Sequence, residues 1–256
     1  MSSSLSTVEL RRAGHVCLPF ETETEKQEAV LAFIHEGLTS GARCVFTGTP
    51  EEFAKLNESL EELGICSKRA GARGALVFRT VAEAYLTGGE FDPTALIART
   101  EEQIEDALRD GFTGLRRTGE LHEEPTDELW RKTIWYESRI NEHFGRRPFA
   151  ALCRYSRAVI SPERVCDLLR AHPVAIVRGE ACDNPFYERP ELALSDDGQA
   201  RLNWQLRQLL VQHRARRRAE TKTVSAVAAA AELAAELSEL RSSLGLPASG
   251  PQSGSD

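Results

Sequence analysis

The chain contains 256 residues, of which 41% are hydrophobic and 28% are charged, and its formal net charge is −7. A chain of this length buries a sizeable core without disulfides, and no apolar run approaches the roughly 20 residues that cross a bilayer, which excludes a membrane-spanning protein. The acidic balance disfavours a general nucleic-acid-binding surface.

Short apolar runs alternate with helical patterns along most of the chain. This alternation is typical of an α/β fold with a mostly parallel sheet flanked by helices. Strands are predicted at residues 15–20, 43–47, 75–79, 114–121, 149–155 and 174–177, and helices at 24–38, 51–63, 93–110, 128–144 and 161–172. The sequence therefore predicts one α/β domain over residues 13–190.

The loop after the first predicted strand is the place where nucleotide-binding sheets of this kind hold phosphate. Such a loop is rich in glycine and ends in lysine followed by serine or threonine, because bare N–H groups and a lysine wrap the phosphates. Residues 19–26 contain no glycine and three glutamates. We therefore expect no P-loop ATPase, and favourable interaction with a helix dipole explains the glutamates.

The fourth predicted strand, residues 114–121, has a polar middle and follows a segment, residues 85–93, predicted to be an exposed loop. A polar strand indicates either the edge of a sheet or a strand whose end carries function. Glu120 falls at the carboxyl end of this strand. A carboxylate there suits a cationic or hydroxylated ligand, although a structural salt bridge is its more ordinary role.

His15 and Cys17 lie two residues apart on the first predicted strand, so both side chains share one face of the sheet. With Cys153 of the fifth strand they offer imidazole and thiol groups that suit a metal or redox site. The six cysteines are scattered singly, however, and buried cysteines ordinarily serve as small hydrophobic side chains. The sequence therefore predicts no metal centre and leaves open whether Cys17 and Cys153 are redox-active or only packed.

The helix predicted at residues 128–144 carries polar groups beside aromatic ones. Glu137 and Asn141 stand one turn apart on the same face, next to Tyr136. This combination suits a small-molecule pocket, and it suits a helix–sheet interface almost equally. The candidate ligand-binding residues are His15, Cys17, Phe20, Arg116, Glu120, Tyr136, Glu137, Asn141, Cys153 and Tyr155.

Residues 196–244 are predicted to be helical, because they contain no proline and long runs of alanine, leucine, glutamate and arginine. A heptad template from Leu202 gives a seam that is broken between His213 and Thr223, which indicates two helical segments or one helix with a polar middle. The candidate partner-binding residues are Leu202, Leu206, Leu209, Arg214, Arg216, Arg217, Arg218 and Leu237.

The two ends of the chain are predicted to be disordered. Residues 1–12 are rich in serine and lack the apolar stretch of a secretory signal, and residues 245–256 have a disordered composition. We therefore expect a cytoplasmic protein.

Six segments, taken in order, carry a family resemblance. They are residues 15–20 (HVCLPF), 91–93 (FDP), 114–120 (GLRRTGE), 136–141 (YESRIN), 151–155 (ALCRY), and 172–173 (HP) with 184–187 (NPFY). Residues 13–190 thereby resemble the methanogen/methylotroph DcmR sensory (MEDS) domain, and the order of helices and strands is similar to the RecA/KaiC core without its P-loop. The resemblance implies a sensory module of bacterial and archaeal regulators that binds small-molecule signals, hydrocarbon derivatives being one suggested class.

These observations predict a non-catalytic cytoplasmic sensor or adaptor that binds a small molecule or redox signal and relays it through the C-terminal helix. The expected partner is a second copy of the chain or a regulatory protein, a kinase or transcription regulator, rather than nucleic acid or a membrane. No cofactor is identified. Two alternatives stay open: a DNA-binding transcriptional regulator that uses the basic helix, and a divergent nucleotide-binding enzyme.

Overall fold

The structure, a computed structural model, describes residues 14–87 and 89–244. The predicted disordered segments, residues 1–12 and 245–256, lie outside these residues. The chain divides into two compact units, with the boundary between Asp196 and Asp197.

The first unit is built on a seven-stranded sheet within the described residues. The strands of the described residues are β1 (His15–Phe20), β2 (Arg43–Thr47), β3 (Leu76–Arg79), β4 (Leu86–Thr87), β5 (Glu90–Phe91), β6 (Leu115–Leu121), β7 (Phe149–Ser156), β8 (Val174–Val177) and β9 (Glu180–Asp183). The strand order in the sheet is β3-β2-β6-β7-β1-β8-β9, and every adjacent pair is parallel except β8 with β9, while β4 and β5 form a separate hairpin.

Helices cover this sheet, and several begin at side chains that cap them. Thr22 and Thr49 each accept a hydrogen bond from a backbone N–H of the first turn, which satisfies a donor that the helix leaves unpaired. The mostly parallel α/β sheet and the long C-terminal helix are thus confirmed. The helices are α1 (Glu23–Thr39), α2 (Pro50–Glu62), α3 (Ser67–Ala72), α4 (Val81–Tyr85), α5 (Pro93–Arg109), α6 (Asp127–Phe144), α7 (Pro162–Ala171), α8 (Pro190–Ala193) and α9 (Gly198–Ser243).

The sheet is buried on both faces, and alternation along β1 assigns its side chains to them. Val16, Leu18 and Phe20 join the apolar layer beneath α1 and α2. Cys17 joins the layer beneath α6 and α7, and His15 faces the same side. Each face of β1 therefore meets a different set of helices.

The polar strand β6 lies inside the sheet, so the prediction that it might be an edge strand is wrong. It pairs with β2 on one side and β7 on the other. Its charged side chains are buried with partners: Arg116 forms an ion pair with Glu36, and Arg117 donates to Thr100 at 2.6 Å. The covering helices supply these partners, which is why a polar strand is tolerated there.

Within the segment predicted as an exposed loop, residues 85–93, the structure describes the end of α4 and the two strands of the β4–β5 hairpin on either side of residue 88. The hydroxyl of Tyr85 lies against Gly119 of β6, so closely that a Cβ at that position would overlap it. This contact requires a glycine in the strand and brings the α4 segment over the carboxyl end of the sheet.

The second unit contains the 46-residue helix α9. It is continuous, so the alternative of two helical segments is wrong. Its length is roughly 69 Å at 1.5 Å per residue. Among the described residues, no helix combines the length and the apolarity needed to cross a membrane.

Candidate functional site

Four side chains with metal-ligating or titratable atoms meet beneath α6. His15, Glu137, Cys153 and His172 each place one such atom within 4.8 Å of all the others. Three of them are buried and Cys153 is nearly so. We call these four residues the Glu137 cluster.

The cluster is assembled from four separate elements. In the parallel pairing of β1 with β7, Cys17 stands opposite Cys153. His15 is two residues before Cys17 and therefore projects from the same face of the sheet, next to Cys153. Glu137 projects from α6, and His172 caps the carboxyl end of α7. Tertiary packing therefore creates a group that no short sequence motif contains.

One carboxylate oxygen is the centre of the Glu137 cluster. Oε2 of Glu137 lies 2.9 Å from Nε2 of His15, 3.4 Å from Nε2 of His172 and 3.5 Å from Sγ of Cys153. The other oxygen, Oε1, accepts a hydrogen bond from the Tyr155 hydroxyl at 2.8 Å. Glu137 is thus the common partner of four side chains, three of which are buried.

Burial and the shared carboxylate shift the protonation equilibria in the cluster. Burial, aided by the neighbouring His172, lowers the pKa of His15 to about 4. Burial alone would raise the pKa of Glu137, but hydrogen bonds from His15 and His172 outweigh it and hold that pKa well below the usual range. Burial and the Glu137 charge raise the pKa values of Cys153 and Tyr155. At neutral pH the carboxylate is ionised, and the thiol and phenol are protonated.

A cavity of about 160 Å³ adjoins the cluster at the carboxyl ends of β6 and β7. Its walls are mostly apolar, and Glu120, Glu137, Cys153, Arg154 and Tyr155 are among the residues that line it. We call it the apolar cavity. Its other lining residues include Tyr85, Phe91, Leu121, Leu129, Thr133 and Tyr136.

A second charged group occupies the region that follows the first strand. Lys26 forms ion pairs with Glu23 at 2.8 Å, Glu52 at 2.8 Å and Glu120 at 3.3 Å. Arg154, almost fully buried, pairs with Glu120 at 3.4 Å. Burial would lower the pKa of Lys26, but the hydrogen bonds that Lys26 donates to Glu23 and Glu52, together with the Glu120 charge, raise it. We call these five residues the Lys26 network.

The structure brings together some of the predicted ligand-binding residues. His15, Glu137, Cys153 and Tyr155 share the Glu137 cluster or its direct hydrogen bonds. The predicted residues that contribute to the lining of the apolar cavity are Glu120, Tyr136, Glu137, Cys153 and Tyr155.

The other predicted residues lie elsewhere. Cys17 packs in an apolar cluster, and Phe20 lies in the layer beneath α1 with Nζ of Lys26 5.3 Å from its ring centre. Arg116 is on the opposite face from the Glu137 cluster, where it pairs with a carboxylate of α1. Asn141 donates to the carbonyl of Ala171 at 2.8 Å, which holds the backbone just before His172.

His172 is the residue that the sequence reasoning missed. It donates through Nδ1 to the carbonyl of Leu168 at 2.7 Å, which directs Nε2 toward Glu137. The signal available was its place before Pro173, a position typical of a helix end. The sequence predicts no metal centre, whereas the structure places two imidazoles, a thiol and a carboxylate side by side.

The predicted partner-binding residues all lie on α9. Leu202, Leu206, Leu209 and Leu237 are each about half exposed or more. Arg216 forms an ion pair with Glu220 one turn along the helix. The other predicted basic residues, Arg214, Arg217 and Arg218, are exposed.

The chain is similar to a known protein family and to solved structures. Residues 14–173 match the family described as "MEDS: MEthanogen/methylotroph, DcmR Sensory domain". No curated protein matches. Among solved structures, the chain is similar to a KaiC-like protein from the hyperthermophilic archaeon Pyrococcus horikoshii OT3, with 12% sequence identity and a TM-score of 0.45, over 68% of this chain and 77% of that one.

Proposed function

The chain belongs to the MEDS family of sensory domains, and we propose that it is a non-catalytic sensor that binds a small organic molecule in the apolar cavity. The observation that carries this proposal is the composition of that cavity. Aromatic and aliphatic side chains form most of its wall, and a buried ionised carboxylate contributes to its lining. Concave apolar sites with a few fixed polar groups are the usual form of small-molecule sites.

The size of the apolar cavity limits the ligand. A volume of about 160 Å³ is close to that of apolar cavities that hold benzene. Glu137 already has four side-chain partners, which matches the roughly four lone-pair sites of a carboxylate. The fitting ligand is a mainly apolar molecule of roughly benzene size that carries at most one small polar group.

The Lys26 network supports recognition rather than nucleotide hydrolysis. In a phosphate-binding loop the lysine must reach the phosphates. Here the ammonium group of Lys26 is within 3.3 Å of three carboxylates. A triphosphate would have to displace these anions, so we expect millimolar ATP with Mg²⁺ to leave the melting temperature unchanged. A saturable rise in melting temperature with ATP would contradict the non-catalytic proposal.

The helix α9 is the proposed output element. Its half-exposed leucines form a seam suited to pairing with a second copy of the chain. A ligand that favours one state of this pairing by roughly 1–3 kcal/mol is sufficient for coupling.

Thermal unfolding of the full chain with phenol tests the ligand proposal. We expect phenol to raise the melting temperature, because a ligand at 100 times its Kd stabilises the folded state by about 2.7 kcal/mol. Leu129→Trp fills the apolar cavity and should abolish the rise. Arg131→Trp adds the same ring at an exposed position of α6 and should preserve it.

Two outcomes overturn the proposal. One is the absence of any shift with phenol, benzyl alcohol and benzylamine at millimolar concentration. The other is an equal shift in wild type and Leu129→Trp, which would place binding outside the apolar cavity.

A further inference from the structure

The Glu137 cluster has a composition that small-molecule recognition does not require. Glu137 and Cys153 contribute to the lining of the apolar cavity, but the two imidazoles are not part of that lining. His15 and His172 are almost completely buried, and their ring centres are 3.9 Å apart. Two buried imidazoles beside a thiol and a carboxylate are the donor types that bind divalent transition metals.

Three donor–donor distances in the cluster match those of a coordination site. With metal–ligand bonds of about 2.0–2.3 Å, neighbouring donors of a tetrahedral site stand about 3.3–3.8 Å apart. Oε2 of Glu137 lies 3.4 Å from His172 Nε2 and 3.5 Å from Cys153 Sγ, and Sγ lies 3.5 Å from His15 Nε2. The His15–Glu137 separation, 2.9 Å, is shorter by a few tenths of an ångström.

Outer hydrogen bonds orient two of the four donors, His172 and Glu137, as they do in metal sites. His172 donates through Nδ1 to the carbonyl of Leu168, so its Nε2 faces the carboxylate. Metal-bound histidines almost always donate their second N–H in this way, and the bond fixes the tautomer. Tyr155 holds the far oxygen of Glu137, and Asn141 fixes the backbone before His172.

Charge balance favours a divalent ion at this place. Glu137 places a buried carboxylate against the imidazoles of both His15 and His172. A divalent cation bound among these donors is compensated by that carboxylate and by one further anionic ligand. With Cys153 bound as thiolate, the two anionic ligands and two neutral imidazoles give a site of zero net charge.

We propose that His15, Glu137, Cys153 and His172 form a binding site for one divalent transition-metal ion of the Zn²⁺ class. Nitrogen, oxygen and sulfur donors in one small site suit a borderline-soft ion, and they do not suit Mg²⁺ or Ca²⁺, which prefer oxygen ligands. Binding moves the Cys153 thiol proton to solvent as the metal–sulfur bond forms. The site shares Glu137 and Cys153 with the apolar cavity, but its test is independent of the organic ligand because metal content is measured without that ligand.

Titration of chelator-treated, reduced full-length protein with Co²⁺ tests the site. We expect one Co²⁺ per chain, visible bands with the intensity of tetrahedral coordination, and a near-ultraviolet thiolate-to-cobalt charge-transfer band. Zn²⁺ should displace Co²⁺ with one equivalent. Cys153→Ala should abolish the charge-transfer band and weaken Zn²⁺ binding at least about tenfold, since changes outside the ligand set alone cost 10–100-fold.

Two controls separate a ligand role from a structural one. Cys17→Ala removes the buried thiol opposite Cys153 in the neighbouring strand and should leave the cobalt spectrum unchanged. His172→Gln should weaken Zn²⁺ binding and alter the visible bands while preserving the thiolate band. Far-ultraviolet circular dichroism verifies that each variant is folded.

The exposed thiols provide the remaining control. The triple variant Cys66→Ser, Cys166→Ser and Cys182→Ser should still bind one Co²⁺ tightly per chain, because these three side chains lie outside the cluster. The proposal is overturned if the wild type binds no Co²⁺ or Zn²⁺ at micromolar concentration. It is also overturned if folded Cys153→Ala gives the wild-type spectrum, or if this triple Ser variant loses the thiolate band.

Discussion

Sγ of Cys153 lies 3.5 Å from Nε2 of His15, although 138 residues separate them in the chain. The contact exists because β1 pairs in parallel with β7, a strand that lies much further along the chain. Glu137 from the covering helix lies within hydrogen-bonding distance of both side chains. The centre of the candidate site is therefore a product of strand order.

Tyr155→Phe should destabilise the protein, because it removes the hydroxyl that donates to the buried carboxylate of Glu137 at 2.8 Å. A hydrogen bond to a charged group contributes roughly 1.5–3 kcal/mol. Urea denaturation measures this loss as a lower midpoint with an unchanged slope. Tyr187→Phe, at a half-buried tyrosine outside the cluster, serves as the control. Equal midpoints for wild type and Tyr155→Phe would show that the bond has no structural value.

Removing the charge of Arg154 and removing that of Arg157, two arginines near the end of β7, should change the stability of the protein by different amounts. Arg154 is 1% exposed and pairs with the buried Glu120, whereas Arg157 is 52% exposed and pairs with Glu21. Arg154→Met leaves a buried carboxylate with less compensation and should cost roughly 3–5 kcal/mol. Arg157→Met should cost less than about 1 kcal/mol, because solvent screens that pair. Chemical denaturation measures the free energy of unfolding of both variants, and a similar decrease in the two would refute this prediction.

The Lys26 network should make stability depend on acid pH through Glu52. Burial would raise the pKa of Glu52, but hydrogen bonds from Lys26 and Thr49 and the Arg154 charge lower it. A carboxylate with a lowered pKa stabilises the fold above its ordinary pKa of about 4.3, and this contribution disappears as the pH falls through the folded pKa. The free energy of unfolding of Glu52→Gln should therefore be lower than that of wild type at pH 7, by on the order of 1 kcal/mol.

The difference between wild type and Glu52→Gln should shrink as the pH falls below about 4.3. Urea denaturation at pH 7, 5 and 3.5 measures it. Glu51→Gln, at the exposed neighbouring position, should show a smaller difference at each pH. A Glu52→Gln difference that is constant from pH 7 to 3.5 would argue against a role for its charge.

The seam of α9 should control self-association. Leu206→Glu with Leu209→Glu places two charges on the seam and should convert a dimer into a monomer at micromolar concentration. Ala215→Glu with Ser225→Glu adds the same number of charges on the exposed face away from the seam and should leave the dimer intact. Sedimentation velocity measures both. A monomeric wild type would contradict pairing with a second copy.

The strands and most helices are predictable from the sequence because their signals are local. Residues 15–20 form a short apolar run, and Thr49 followed by Pro50 marks a helix start. The buried position of β6 is not predictable in this way. Its arginines are typical of an edge strand in the sequence. Their buried position depends on the packing of α1 and α5, which supply Glu36 and Thr100 as partners.

The candidate site is predictable only in part. Alternation along β1 places His15 and Cys17 on one face, and helical spacing identifies Glu137, but neither pattern shows which thiol meets the imidazole. The structure places Cys17 among apolar side chains and Cys153 beside His15. His172 joins the Glu137 cluster because α7 packs against α6, and no pattern in the local sequence predicts that packing.

Native mass spectrometry of freshly purified full-length protein tests the sensor proposal most directly, because it weighs organic adducts, metal ions and subunits together. We predict one organic adduct of roughly benzene size per chain in the wild type and none in Leu129→Trp. A wild type without an organic adduct, or an adduct retained by Leu129→Trp, would contradict recognition in the apolar cavity.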